Sequence, residues 1–212
     1  HPLPLCPGTL PPRGARTRPD SGWWSGGLSF LEGFAGCLAF PEREKWPCQG
    51  RWAMMNDVRL RPVMAGEATA VEALLRRAFK DYVRGLGRDE PSPMNWLESR
   101  IIEGAVYWVD ASRSPAGVVV TSVHENAVLE INMLGIDPSL QGRGIGRQVL
   151  TLIAAMAREK GFETLALRTA QPYTRLVALY SRAGFRVVAV DRHPDQIDEI
   201  PRVFMELGLK KD

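Results

Sequence analysis

Apolar and polar residues follow regular spacings through most of the chain after residue 57, and these spacings predict its helices and strands. Residues 57–63 alternate polar and apolar side chains and include a proline, which is typical of an edge strand. From Glu67 the spacing changes to three and four, which predicts a first helix ending at Gly85 or Gly87. The apolar positions assigned to its buried face are Ala70, Ala73, Leu74, Ala78 and Phe79. Residues 88–102 then predict a proline-rich turn and a short second helix.

Three β-rich segments come next and are separated by short turns, the first of which spans residues 111–115. Strands joined by such short loops form an antiparallel meander. These segments occupy residues 105–110, 116–125 and 127–136. A second long helix is predicted from Gly144 to Lys160, because its apolar residues form one stripe. That stripe consists of Ile145, Val149, Leu152, Ile153 and Met156. A strand, a short helix and two final strands follow, in residues 164–169, 174–184, 186–191 and 202–209.

The order of these elements predicts the fold class. One strand and two helices are followed by three strands, a helix, a strand, a helix and two more strands. This order predicts a mixed α/β (α+β) fold, in which a largely antiparallel central sheet of six to seven strands is flanked by helices. A doubly wound parallel sheet would instead alternate strands and helices throughout. Residues 55–212 are therefore predicted to form a single domain.

Residues 1–54 differ from the rest of the chain in composition. They hold half of the 16 prolines and most of the 6 tryptophans, and neither helical nor strand spacing persists in them. Prolines also interrupt the place where a signal peptide would need its apolar centre. The segment Ala53–Asp57, AMMND, resembles an ordinary start. We therefore expect residues 1–54 to be irregular and foreign to the native protein, either translated from upstream or left by cloning. A genuine flexible targeting arm is the alternative.

Composition limits the partners and the compartment that the sequence favours. A net charge of +3 is too small to indicate nucleic-acid binding. No stretch reaches the run of about 18 apolar residues that a membrane-spanning helix needs. Cys6, Cys37 and Cys48 all lie in the first quarter, and their spacing matches neither a zinc site nor a disulfide framework. We expect a soluble protein of the cytoplasm with no bound metal and no membrane or nucleic-acid partner.

The residues most informative about function are three glycines within five positions, Gly142, Gly144 and Gly146. They lie between a predicted strand and the start of a predicted helix, where free backbone N–H groups and the helix dipole favour an anion. A phosphate loop of the Walker type would need Lys and Ser or Thr where Arg147 and Gln148 stand. The dinucleotide fingerprint would need a glycine at position 147. The glycines could also serve only to let the helix pack closely on the sheet.

Two motifs give the chain a resemblance to a known family. Residues 141–146, QGRGIG, match the pattern Q/R-x-x-G-x-G/A, and about three dozen residues later a short helix ends in L-Y-x-x-x-G-F. The residues of the second motif are Leu179, Tyr180, Gly184 and Phe185. Over residues 58–209 the chain thus resembles the GCN5-related N-acetyltransferase (GNAT) family, whose order of elements is the same. One departure is Tyr173, since the family often has Asn seven residues before the tyrosine.

The resemblance implies a binding site for acetyl-CoA as cosubstrate, between the strand that ends at Ile136 and the strand after the glycine-led helix. Backbone amides of residues 141–146 would hold the pyrophosphate, and the strand before them would pair with the pantetheine arm. The amide of Leu134 or Gly135 would face the thioester oxygen. The implied cofactor-binding residues are Leu134, Gly135, Ile136, Gln141, Gly142, Arg143, Gly144, Ile145, Gly146 and Arg147.

The resemblance also implies two catalytic residues. Tyr180 would donate a proton to the leaving thiolate, because a phenol stays protonated at neutral pH; the alternative is that its ring only packs. Glu130 would be the general base, and strict alternation along the strand places it on the same face as Asn132 and Leu134. Glu130 could instead be a buried carboxylate without a catalytic role, and His124 is another candidate base.

The acceptor would be a primary amine of a small molecule or peptide, bound near the first two helices and the loop before the last strand. Residues expected there are Asp81, Tyr82, Arg84, Arg88, Asp89, Glu90, Met94, His193, Asp195, Asp198 and Glu199. The predicted function is N-acetyl transfer from acetyl-CoA. The alternative is an inactive module that binds or senses acyl-CoA. Members of the family often dimerise, so a homodimer is possible.

Overall fold

Seven strands form one mixed sheet in the computed structural model, which describes residues 58–193 and 198–209. Residues 1–54 and Asp195, for which the sequence raised expectations, lie outside the described residues. The strands run in the order β1-β2-β3-β4-β5-β7-β6, and of these neighbours only β4 and β5 are parallel. The strands are β1 Val58–Pro62, β2 Val106–Ala111, β3 Ser114–His124, β4 Val128–Ile136, β5 Thr164–Ala170, β6 Arg186–Asp191 and β7 Arg202–Gly208. This confirms the predicted fold class.

In the part of the chain that the structure describes, four α-helices cover the two faces of the sheet. They are α1 Ala68–Arg84, α2 Leu97–Ile102, α3 Ile145–Glu159 and α4 Thr174–Arg182. One apolar cluster joins α1 and α2 to one face of β2 and β3, and a second joins α3 and α4 to the opposite face of the sheet. None of the helices within the described ranges combines the length and the apolar character needed to cross a membrane.

The buried stripe of α1 differs from the predicted one. Leu74 is buried as expected, but Ala70 and Ala73 are exposed, and Val71 and Leu75 take their places in the core. Val and Leu remove more apolar surface from water than Ala does, so they determine which face turns inward. The predicted stripe of α3 is confirmed, because all five of its members are buried.

The turn between β2 and β3 is shorter than the five-residue segment predicted for it. Only Ser112 and Arg113 separate the two strands, and both adopt positive φ angles, 50° and 67°. Two consecutive left-handed residues form the tight turn whose twist suits an antiparallel hairpin. The meander of β2, β3 and β4 is as predicted.

The feature that positions the site is an early end to the ladder between β4 and β5. The two strands pair from Val128 with Thr164 only as far as Ile131 with Leu167. Both strands continue beyond that point, β4 to Ile136 and β5 to Ala170, without pairing with each other. A gap therefore opens between β4 and β5 in the middle of the sheet, next to the glycine-rich start of α3.

A bulge in β4 coincides with the start of this gap. Val120 of β3 faces Met133, and the next residue of β3, Thr121, faces Ile131, so Asn132 is an extra residue in β4. An extra residue reverses the facing of every side chain beyond it. The expectation that Glu130 shares a face with Leu134 is therefore wrong.

The packing of β4 agrees with this reversal. Leu129 and Ile131, before the bulge, belong to the cluster under α3 and α4. Leu134, beyond the bulge, packs against that same cluster, whereas Met133 packs against the cluster under α1 and α2. Glu130 consequently points to the α1 and α2 face, and Leu134 points to the opposite face.

Candidate active site

A cleft of about 540 Å³ is lined by the end of β4, beside the gap between β4 and β5. Its walls are the C-terminal half of α1, the end of β4, the turn into α3, and the first turns of α4. Nine of the ten residues predicted to bind the cofactor line it: Leu134, Gly135, Ile136, Gln141, Gly142, Gly144, Ile145, Gly146 and Arg147. The tenth, Arg143, is not among the lining residues and its side chain reaches back to the carbonyl oxygen of Ser139 at 3.4 Å.

The glycine loop, residues 141–146, has open space where side chains would lie. Gly142 and Gly144 adopt φ angles of +76° and +80°, which only glycine adopts without strain. A Cβ atom at either position would meet no atom within 4 Å, and at Gly146 the nearest atom would be 3.9 Å away. Close packing of the helix on the sheet therefore does not explain these glycines, because their Cα atoms face open space.

The start of α3 offers unpaired backbone amides to the cleft. Gly144 is the N-cap, and the first intrahelical bond runs from the amide of Gln148 to the carbonyl of Gly144 at 3.2 Å. The amides of the preceding helical residues have no intrahelical acceptor. The first turn carries no acidic side chain, and Arg147 adds positive charge. This arrangement suits a phosphate or pyrophosphate group.

Tyr180 also lines the cleft. It projects from α4, is 9% exposed and packs its ring 6.1 Å from that of Phe185. Burial raises the pKa of the Tyr180 phenol, and the nearby Tyr82 raises it further. The hydroxyl is consequently protonated at neutral pH and is able to donate a proton or a hydrogen bond.

Tyr173, which departs from the family pattern, links the two walls of the cleft. Its ring stacks on that of Tyr82 with centroids 4.4 Å apart, and its hydroxyl donates to the Tyr82 carbonyl oxygen at 2.6 Å. A side chain at Gly85 would collide with the Tyr173 hydroxyl, so a larger residue there would displace the Tyr173 ring from this contact. The contact holds the end of α1 against the start of α4.

Glu130 is buried away from the cleft lining. It is 2% exposed and accepts from His124 Nε2 at 2.8 Å, while Arg168 Nη1 lies 3.3 Å from its other oxygen. Burial alone would raise the pKa of Glu130, but the bond from His124 and the charges of Arg168 and Arg100 lower it below its usual value. The carboxylate is therefore ionised and already paired.

The residues expected to bind the acceptor lie in different parts of the structure. Asp81 and Tyr82 line the cleft. Met94 is 6% exposed and belongs to the core under α1 and α2, so it forms no acceptor wall. Asp198 pairs with Arg202 at 2.7 Å, and that guanidinium lowers its pKa. Over the described ranges, no group of three or more His, Cys, Asp and Glu side chains is arranged to hold a metal ion.

Comparison with known families identifies this arrangement. A family model described as the acetyltransferase (GNAT) family matches residues 69–185. The matched range contains every residue that lines the cleft, including the glycine loop and Tyr180. The chain belongs to the GNAT acetyltransferase family.

Individual relatives resemble this GNAT chain over parts of their length. It is 32% identical to the mycothiol acetyltransferase of Kytococcus sedentarius over 71% of this chain and 56% of that protein. It is 40% identical to the mycothiol acetyltransferase of Propionibacterium freudenreichii over 29% of this chain and 20% of that protein. The chain thus spans little more than half of these relatives at most. The crystal structure of a Bacillus subtilis acetyltransferase in complex with CoA is 25% identical and superimposes with a TM-score of 0.51, covering 72% of this chain and 98% of that one.

The sequence analysis did not identify some of the residues that line the cleft. Leu176 lines it, and its spacing from Leu179 and Tyr180 along α4 would have indicated a shared face. Arg175 also lines it, but a charged residue at the start of a short helix carries no specific signal of binding. Phe79 was assigned to the core, and it instead contributes both to the core and to the cleft wall.

Proposed function

We propose that the chain is an acetyl-CoA-dependent N-acetyltransferase that acetylates a primary amine of a small molecule or peptide. The observation that carries this proposal is that the glycine loop and Tyr180 line one continuous cleft. This shared cleft supports a ligand whose anionic end lies at the glycine loop and whose reacting end lies near Tyr180. Relatives named mycothiol acetyltransferase, and a related structure in complex with CoA, support the same reaction class.

The glycine loop and α3 would hold the pyrophosphate of acetyl-CoA. The loop amides donate hydrogen bonds without interference from side chains, and Arg147 and Arg175 add positive charge to the cleft wall. Beyond Ile131, β4 has no partner strand on the β5 side, so its backbone is free to bond the pantetheine amides. The amide of Leu134 or Gly135 would stabilise the negative charge that develops on the thioester oxygen.

Tyr180 would protonate the departing sulfur. Its buried, protonated phenol lines the cleft, and a proton supplied there prevents the release of a free thiolate. Glu130 remains our candidate for the general base: its carboxylate is ionised at neutral pH, and because it lies outside the cleft lining it would have to take the amine proton through an intervening group. The contacts of Glu130 with His124 and Arg168 would equally explain a purely structural role. Substitution of Glu130 distinguishes the structural role from the catalytic one.

The test is a calorimetric titration of acetyl-CoA, followed by detection of free thiol with a panel of amines. The panel contains an alkylamine, a free amino acid, a short peptide with a free amino terminus, and the acceptor of the mycothiol acetyltransferases. Binding together with thiol release for one class would support the proposal and identify the acceptor. Binding without thiol release for any amine would favour the alternative, a module that only binds acyl-CoA. Absence of binding would contradict both.

A further inference from the structure

Strand β6 forms one edge of the sheet and exposes apolar side chains. Among the described strands it pairs with β7 alone, because it is the last in the order of the sheet. Val187, Val188 and Val190 are 50%, 50% and 51% exposed. An edge strand presents unpaired backbone N–H and C=O groups, and valine favours the strand conformation. The outer edge of β6 is therefore a surface suited to pairing with a further strand.

A bulge places the two charged ends of β6 on one face of the sheet. The strand begins at Arg186 and ends at Asp191, and both side chains are exposed. In a regular strand two residues at this odd spacing would point to opposite faces. The register with β7 shifts between Val187 and Ala189, so Val188 is an extra residue. Arg186, Ala189 and Asp191 consequently share one face, with the alanine between the two charges.

This arrangement makes the edge of β6 complementary to itself. Two copies that pair antiparallel about a twofold axis must bring residues of the same face together. An axis through Ala189 meets this condition. Arg186 of one copy then lies opposite Asp191 of the second copy, and the reverse pair forms at the other end. On the opposite face the exposed valines of the two copies meet, so the pairing joins opposite charges and removes apolar surface from water.

The neighbouring strand β7 extends this complementarity. It places Glu206 opposite Arg186 and Arg202 opposite Asp191. Across the four strands of two paired copies, one row would therefore read Glu206, Arg186, Asp191 and Arg202, with charges that alternate in sign. Like charges directly opposite one another destabilise a sheet. The alternation favours a second copy of this chain over an unrelated apolar strand.

We propose that β6 is a dimer interface, at which two copies of the chain join their sheets edge to edge with Arg186 of each opposite Asp191 of the other. The inference does not depend on the proposed acetyltransferase function. None of the residues that line the cleft belongs to β6, so each copy would keep its own cleft in the dimer.

Sedimentation equilibrium of the full chain tests the interface. The native chain should show a reversible equilibrium between monomer and dimer. Arg186→Asp and Asp191→Arg, taken singly, each place like charges opposite one another at both ends of the pair, and each should raise the dimer Kd about 10-fold or more. Val190→Lys should raise it as well. Val123→Lys is the matched control, because Val123 is a valine of β3 that is 41% exposed and lies outside the interface, and its Kd should be unchanged.

A mixture of the two charge variants supplies a readout that a folding defect would not produce. In a mixed pair, the carboxylate introduced by Arg186→Asp faces the guanidinium introduced by Asp191→Arg, and the native charges face each other at the other end. The mixture should therefore dimerise with about the native Kd, as should the double variant Arg186→Asp/Asp191→Arg. A native chain that stays monomeric, a dimer that neither single variant weakens, or a double variant that stays monomeric when folded would overturn the proposal.

Discussion

Gly144 is the residue at which conformation and ligand binding depend most directly on the absence of a side chain. Its φ of +80° and the open space around its Cα mean that a substitution changes both the backbone and the cleft. We expect Gly144→Glu to abolish acetyl-CoA binding, because a carboxylate would enter the space proposed for the pyrophosphate. Calorimetric titration measures this directly.

Gly161 provides the control for backbone strain, since it has a φ of +81° and equally open surroundings just beyond the end of α3. Gly161→Glu should cost about 1–2 kcal/mol of stability, as Gly144→Glu should, because both place a side chain at positive φ. Acetyl-CoA binding should survive in Gly161→Glu. Normal binding by Gly144→Glu would show that the glycine loop does not hold the cofactor.

Tyr180 tests whether the cleft supplies a proton to the leaving group. We expect Tyr180→Phe to lower kcat about 100-fold with little change in acetyl-CoA affinity, as loss of a general acid does. Because burial and Tyr82 raise its pKa, the native kcat should not decline as pH passes the ordinary phenol value near 10. A pH profile of kcat on both proteins measures this. An unchanged rate in the Phe variant would reduce Tyr180 to a packing residue.

Glu130 contributes to stability in a pH-dependent way. Its pKa is lowered in the folded chain, so its contribution is complete above the unfolded value of about 4.3 and is lost as pH falls through the lower folded value. Glu130→Gln should therefore be less stable than the native chain by about 1–3 kcal/mol at neutral pH, since His124 and Arg168 lose their partner. Below about pH 4 the difference should shrink, and urea unfolding at several pH values measures it.

The same Glu130→Gln protein separates the two roles of the carboxylate. Loss of a general base predicts a fall in kcat of about 100-fold. A normal kcat in a destabilised protein would assign Glu130 to the structure alone. A difference in stability that does not depend on pH would contradict the ionised state of Glu130 in the folded chain.

At the scale of elements, the pairing of β3 with β4 depends on Gly117, a glycine that does not have a positive φ angle. A Cβ at Gly117 would lie 2.5 Å from the Gly135 carbonyl oxygen and 3.3 Å from the Ile136 Cα. Backbone atoms cannot move aside as a flexible side chain can, so Gly117→Ala should destabilise the chain by about 1–3 kcal/mol. At Gly66, where a Cβ would meet nothing within 4 Å, Ala should be neutral to within about 0.5 kcal/mol. Thermal unfolding of both variants is the measurement, and equal stability would contradict the close approach.

The strands and helices also show which features of the fold the sequence could predict and which it could not. Within the described residues, local sequence predicted each strand and α-helix, because apolar spacing, β-rich composition and turn residues are properties of short segments. The bulge at Asn132 was not predictable, since it depends on how β4 pairs with β3, and strict alternation therefore placed Glu130 on the wrong face. The glycine loop was predictable because its residues are consecutive. The hydrogen bond from the Ala170 amide to the Tyr82 hydroxyl was not, because 88 positions separate the two residues.

At the scale of the whole molecule, the early end of the β4–β5 ladder divides the sheet into two parts. Four paired positions join β1–β4 to β5–β7, and the cleft lies directly beyond them. Contacts such as the stack of Tyr82 on Tyr173 add a connection between the helices of the two parts. A ligand that binds the glycine loop, β4 and α4 together would therefore stabilise the folded state as a unit.

Binding of acetyl-CoA to the folded chain predicts a stabilisation that its concentration and affinity determine. A ligand present at 100 times its Kd adds about 2.7 kcal/mol to the free energy of unfolding. For a domain of this size that increase corresponds to about 5–10 °C in Tm. We expect the shift in thermal unfolding of the native chain and of Gly161→Glu, and no shift in Gly144→Glu. An equal shift in Gly144→Glu would place the binding site elsewhere, because the ligand would then stabilise the chain without the cleft that joins its two parts.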